Sequence, residues 1–294
     1  MTAVPPATDG AAVTQPAFLP LTGRPGAAVR HWWPVAAAAA GILAVIVLGF
    51  ILDAGRPDFA NALQPPSSSH LAGSDHFGHD LLARTVTGLR TSLAIAAVCA
   101  LLSAAIGAAI GVAAASWGGW FDAIVMRLVD GVNALPHLVL GLVIAAMWRG
   151  ALVAIIASIA LTHWPAVARV VRAELLSARH SGWIEQARLA GASRWFIARH
   201  HLLGAVTGQL LVALIVLVPH AIWHESTLSF LGVGLSPESA SLGALLNSAR
   251  GDVLTGAWWT LAVPGIALIV AALGCAAATT RIRAALTPPE GLGR

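Results

Sequence analysis

Three groups of residues carry side chains able to do chemistry. His220 and His224 stand one helical turn apart, immediately before Glu225. On a helix that spacing puts both imidazoles on one face. There they can bind a metal or donate hydrogen bonds, with Glu225 placed to orient one ring. The plain alternative is hydrogen bonding near a membrane interface. His76-x-x-His79 has a metal-like spacing and shares its segment with His70, Asp75 and Asp80; its alternative reading is architectural. Cys99 and Cys275 sit inside apolar runs without metal or redox spacing, and read as small buried hydrophobes. No metal site is assigned.

Other chemistry is excluded by composition. All 17 basic residues are arginine. A P-loop needs a lysine on the nucleotide phosphates, and Schiff-base catalysis needs a lysine amine. Any nucleotide-driven step therefore belongs to a partner, and no catalytic residue or bound cofactor is expected here. An intramembrane serine protease would carry a Gly-x-Ser-Gly nucleophile motif, which is absent. The pI near 10.8 could point to nucleic acid. The arginines, however, are spread between apolar runs rather than gathered on one face, so the charge is topological and no nucleic-acid partner is expected.

The elements that must position these residues are membrane spans. The chain is 57% hydrophobic and 10% charged, with mean hydropathy +0.79; soluble domains carry about 25% charged residues. Cutting at every charged residue leaves six long charge-free windows, 31–52, 91–121, 131–148, 150–168, 200–224 and 253–280. Each is long enough for a transmembrane helix. Residues 1–30, rich in Pro, Gly and Ala, read as a disordered tail, and 31–52 as an uncleaved anchor. With the N-terminus inside, the inner segments hold twelve arginines and the outer ones five: Arg56, Arg84, Arg90, Arg149 and Arg250. The positive-inside rule thus puts both termini in the cytoplasm. Ser103, Gly107 and Gly111 form a small-xxx-small ladder suited to close helix packing. Pro136, Pro165, Pro219 and Pro264 are expected to kink or end their helices.

The connection 169–199 is long for a helix–helix link. Its helical pattern runs to about Ala190; Gly191 suits a helix C-cap and Ser193 the N-cap of a following helix. The product is an elbow at the membrane surface. Ala187 and Gly191 permit close approach of a partner, and Glu185 can accept hydrogen bonds.

This elbow resembles the EAA loop of ATP-binding-cassette (ABC) importer permeases. Glu185, Ala187 and Gly191 match at that family's spacing, with Gln186 in place of an alanine. Two further segments are similar to blocks of the C-type permeases of the dipeptide, oligopeptide and nickel importers. Gly73-Ser-Asp75-His-Phe-Gly78-His-Asp80 resembles their Gly-Thr-Asp-x-x-Gly-Arg-Asp block. Glu225-Ser-Thr-Leu-Ser229-Phe-Leu231-Gly232-Val-Gly234 resembles the block after their fifth span. His200 coincides with a histidine common in the family. The C-terminal block is degenerate at Ala278–Arg283.

The resemblance implies an all-α integral membrane protein with six transmembrane helices and the type I ABC importer permease fold. Its parts would be the tail 1–30, the anchor 31–52, an outer loop 53–90, a five-helix core 91–284 with the coupling elbow at 169–199, and a cytoplasmic tail 285–294. It implies a bacterial inner-membrane location and import of di- or oligopeptides. The alternative cargo is nickel, a metal chelate or haem. The implied partners are a second related permease, two ATPase subunits that hold ATP and Mg, and an extracytoplasmic solute-binding protein. Glu185, Ala187, Gly191, Ala192 and Ser193 would meet the ATPase; His220, His224 and Glu225 are candidates for the translocation path. An ion-coupled secondary transporter would want carboxylates buried mid-span, and the six windows hold none.

Overall fold

A computed structural model describes residues 25–52, 55–179, 182–193, 196, 203–236 and 239–286. The tail before residue 25, His200 and His201, and residues 287–294 lie outside the described residues. The chain divides into two compact units, Met1–Trp33 and Pro34–Arg294. The first contributes only the start of a helix to the described residues.

Nine helices follow one another among the described residues. They are α1 (Pro25–Ile51), α2 (Leu81–Trp117), α3 (Gly119–Ala134), α4 (His137–Met147), α5 (Leu152–Arg179), α6 (Gly182–Leu189), α7 (Leu203–Phe230), α8 (Leu242–Leu254) and α9 (Trp259–Leu286). Four are long and apolar enough to cross a membrane: α2, α5, α7 and α9. The bent pair α3 and α4 brings the number to five if it counts as one span. α1 is apolar over Ala40–Ile51.

Several boundaries differ from the sequence expectation. α1 begins at Pro25, inside the segment expected to be disordered; proline is well suited to the first turn of a helix, where its missing N–H costs nothing. α2 begins at Leu81, inside the expected outer loop 53–90. Asp80 caps it, its carboxylate accepting the Ala83 N–H at 2.9 Å. Arg84 and Arg90 cut the charge-free window but not the helix. Arg90 reaches back to donate to the Gly49 carbonyl at 2.8 Å and covers the Phe50 ring, an arrangement that keeps its charge at the helix surface.

The window 131–148 is not one straight span. The helix breaks at Leu135, which is extended, and Pro136, and the two halves meet at 89°. Proline disfavours helical backbone in the residue before it, and that preference decides the break here. Pro165, Pro219 and Pro264 instead lie inside α5, α7 and α9. α8 was not expected at all. It is short and carries Arg250 and Asp252, so no apolar window marks it.

α2 is the axis of the bundle, packing on α5, α7, α8 and α9. Its small-residue ladder faces α5. A Cβ at Gly107 would stand 2.6 Å from the Trp164 carbonyl oxygen, and one at Gly111 2.6 Å from that of Ala168. Only glycine permits this approach, and lipid-embedded helices gain their cohesion from such packing. One core joins Ile95, Ala96 and Cys99 of α2 to Ile155 and Ile159 of α5 and Ile222 of α7; Cys275 of α9 belongs to it too. A second joins Ala104 of α2 to Val167, Val171 and Leu175 of α5. Both cysteines are buried and free.

Candidate functional site

α6 is built on the end of α5. Ile184 of α6 is fully buried against Ala178, with Ala187 and Ala192 packed beside it. α6 closes as a glycine-capped helix should. The Ala190 N–H donates to the Gln186 carbonyl at 2.9 Å and the Ala192 N–H to that of Ala187 at 3.0 Å. Gly191 sits between them at φ +83°, where a side chain is strained. Ser193 then accepts the Phe196 N–H at 3.2 Å. Gly191 and Ser193 are exposed. Glu185 lies on α6, and its side chain is outside the described residues.

The segment 55–80 folds over the start of α2. Asp75 is its centre. The buried carboxylate accepts the Phe77 and His79 N–H groups at 2.9 Å each and the Arg84 guanidinium at 2.6 Å. Burial alone would raise its pKa; the His79 N–H and Arg84 outweigh that and hold it below the ordinary 3.8. Gly73, at φ +78°, lets Trp259 close on the segment and donate its indole N–H to the Ser74 carbonyl at 3.2 Å. The two histidines of the metal-like spacing part company: His76 pairs with Asp252 at 3.2 Å and His79 with Asp75 at 3.3 Å. His70 pairs with Asp80 at 3.2 Å. The segment is an architectural clasp between α2, α8 and α9.

His220, His224 and Glu225 do not act as one group. Glu225, expected beside the path and able to orient a histidine, is fully buried and turned the other way. Its oxygens accept from Ser92 at 2.8 Å, Ser229 at 3.0 Å and Ser226 at 3.3 Å. Ser92 in turn accepts the Leu242 N–H at 3.2 Å. The acid thus ties α2, α7 and the start of α8 together. The reason is steric and periodic. Adjacent residues on a helix point about 100° apart, so Glu225 cannot share the face of His224.

His224 instead meets His163 of α5, ring centroids 4.7 Å apart, and His163 stacks at 5.8 Å on His137, the first residue of α4. His220 is exposed. His137 and His163 went unread in the sequence. Their signal was available, since both are polar residues inside charge-free windows, but no spacing links them to each other or to α7.

Residues 87–288 match the family model described as binding-protein-dependent transport system inner membrane component. A putative peptide transport system permease protein of Brucella suis is 38% identical over 235 residues, 79% of this chain and 78% of that one. The dipeptide transport system permease protein DppC of Bacillus subtilis is 33% identical over 200 residues, 68% and 62% of the two chains. The probable D,D-dipeptide transport system permease protein DdpC of Escherichia coli is 31% identical over 239 residues, 81% and 80%. Among solved structures, the MetNI methionine ABC transporter has a similar chain, with TM-score 0.56 at 22% identity, covering 70% of this chain and 96% of that one; this likeness concerns the fold. The family match spans the helical core from α2 to the end of α9, and the chain belongs to the family of inner-membrane permease components of binding-protein-dependent ABC transport systems.

Proposed function

We propose that this chain is one membrane-spanning subunit of an ATP-driven importer that carries di- or oligopeptides into the bacterial cell. The observation that carries the reading is the identity of 38% across 79% of the chain with a permease named for peptide transport. In this reading the chain catalyses nothing itself. It pairs with a second related permease, receives cargo from an extracytoplasmic binding protein, and rests on two ATPase subunits that bind ATP and Mg. The absence of lysine supports the assignment of ATP hydrolysis to a partner.

The elbow is the proposed ATPase contact. Exposed Gly191 and Ser193, with Ala187 and Ala192 behind them, offer a small-residue turn to a groove, and Glu185 sits on the same short helix. Transport is then a two-state packing equilibrium biased by ATP. The test is uptake of a labelled dipeptide by the complete transporter in proteoliposomes. Wild type should accumulate it only with ATP. Gly191→Trp should insert normally but lose most uptake, at least about tenfold, and release the ATPase on purification; a strained φ and a filled contact act together. Normal uptake and assembly in that variant would remove Gly191 from the interface.

We assign the subunit six spans, α1 and the bent pair α3–α4 each crossing once, with both termini cytoplasmic. The arginine asymmetry supports this orientation. Reporter fusions after Asn61 and Ser239 should read outside, and after Thr287 inside. An inside signal at Ser239 would overturn the assignment.

A further inference from the structure

Four imidazoles gather in the spans. His137 opens α4 at the 89° break, His163 lies within α5, and His220 and His224 lie within α7. Among the described residues, the titratable groups in electrostatic reach of His163 are His224, His137 and His220; for His224 they are His220 and His137. None of these is acidic. Glu225, next in the chain, spends its oxygens on the serines of α2 and α7.

Geometry sets the tautomer of His163. Its Nδ1 is 3.0 Å from the Ile159 carbonyl oxygen and 2.9 Å from Thr162 Oγ1. A carbonyl only accepts, so Nδ1 carries the hydrogen and donates it. Thr162 sends its own hydroxyl hydrogen to the Ser158 carbonyl at 2.9 Å, leaving its oxygen free to accept. In the neutral ring Nε2 is then a bare lone pair. Nδ1 of His137 is buried without a hydrogen-bond partner. A buried polar nitrogen without a partner costs free energy and calls for an explanation. Among the described residues no three such groups are placed to hold a metal ion, so the cluster is suited to a hydrogen-bonding ligand.

Three features point to the sign of that ligand. The cluster holds protonatable bases and, among the described residues, no counter-ion. It reaches the outside of this chain at His220, and a polar side chain on a spanning helix belongs on a cavity or partner side rather than in lipid. At the break, no side chain caps the N-terminus of α4, so the positive end of a half-helix adds to the cluster's preference for an anion.

We propose that His137, His163, His220 and His224 form a way-station for the carboxylate of the passing solute, one imidazole taking up a proton from water as the carboxylate binds. The proton adds to an imidazole nitrogen that was a lone pair, Nε2 in His163, and an imidazolium–carboxylate pair results. Carboxylate plus proton carry no net charge, so the pair adds none to the low-dielectric bundle. A permanent guanidinium would hold the carboxylate too firmly for release, whereas a pathway site must let go. Imidazole can stand neutral or protonated and so serves both halves of the task. The inference rests on the peptide reading above, since a linear peptide ends in a carboxylate.

Two measurements test it. In the first, the complete transporter with 15N-labelled histidine is titrated with acetate and, separately, with acetamide. Acetate should move ring-nitrogen resonances of the cluster toward the imidazolium position; acetamide should not. Resonances are assigned through single His→Gln variants. Equal response to both probes, or to neither, would overturn the site whatever the cargo. In the second, uptake of a dipeptide and of its C-terminal amide is compared in wild type and in His163→Gln/His224→Gln. The KM of the free acid should rise about tenfold, the scale of one charge-assisted hydrogen bond, while that of the amide stays put. Equal changes for both would make the histidines structural and overturn the proposal. If wild type transports neither compound, the peptide reading has failed, and the acetate titration alone decides the site.

Discussion

Replacing Glu225 with leucine is expected to remove most of the folded subunit from the membrane. Glu225 is fully buried and receives hydrogen bonds from Ser92, Ser226 and Ser229. An interhelical hydrogen bond in a membrane averages about 0.6 kcal/mol, and of the three bonds lost the one from Ser92 joins two helices. Orphaned buried groups add about 1–3 kcal/mol each where they find no substitute. Ser226 and Ser229 lie on the same helix as the acid and can turn to its carbonyls. Ser92 is fixed from both sides, because it also accepts the Leu242 N–H. Ser92 is therefore where the cost concentrates, and the docking of α8 on α2 is what loosens. Glu225→Gln keeps an acceptor oxygen and the volume, and should lose less than half as much. Thermal unfolding in detergent and membrane abundance measure both. A leucine variant as abundant and as stable as wild type would show that the serines, not the acid, hold these helices.

Arg84→Leu should be comparably severe, for an electrostatic reason. Arg84 and Asp75 are both nearly inaccessible, at 5% side-chain exposure each, and lie 2.6 Å apart. Removing one partner of a buried pair costs about 3–5 kcal/mol, because the other charge stays behind. The double variant Arg84→Leu/Asp75→Asn should recover much of that loss. Asparagine still accepts the Phe77 and His79 N–H groups but leaves no bare charge. Strong non-additivity in that cycle is the signature of direct coupling. The acid limit follows as well. The folded Asp75 pKa is below its ordinary 3.8, so the contribution of this carboxylate is complete above 3.8 and is lost only as pH falls through the lower folded value. In Arg84→Leu the desolvation of Asp75 is less opposed, its pKa rises, and the onset of acid loss moves up in pH. Hydrogen exchange of residues 55–80 as a function of pH would follow it. Additive single effects, or an unchanged acid limit, would count against the coupling.

The local rules of the chain were legible where one residue type decides the outcome. The spans α2, α5, α7 and α9 show as charge-free runs because lipid admits little else. The break before Pro136 and the glycine cap of α6 show because proline and glycine act on their own backbone. α3 was hidden because Asp122, Arg127 and Asp130 interrupt it. Two of those charges are satisfied by residues far along the chain: Arg172 pairs with Asp122, and Arg169 with Asp130 at 2.6 Å. α8 was hidden for a similar reason, since Asp252 is spent on His76.

From its sequence alone this protein is a multi-pass permease: apolar runs, arginine placement and three blocks of residues specify that much, because each depends only on neighbours in the chain. Which polar groups meet inside the bundle was decided by tertiary structure. Periodicity joined His220 to His224 but left open that Glu225 turns to Ser92, or that His224 finds His163 and, beyond it, His137. Those partners come from other helices, at the heights that the break at Pro136 and the Gly107–Gly111 contact with α5 impose. Spacing within one helix carries no information about which helix lies beside it, and for buried polar groups the neighbour sets the chemistry.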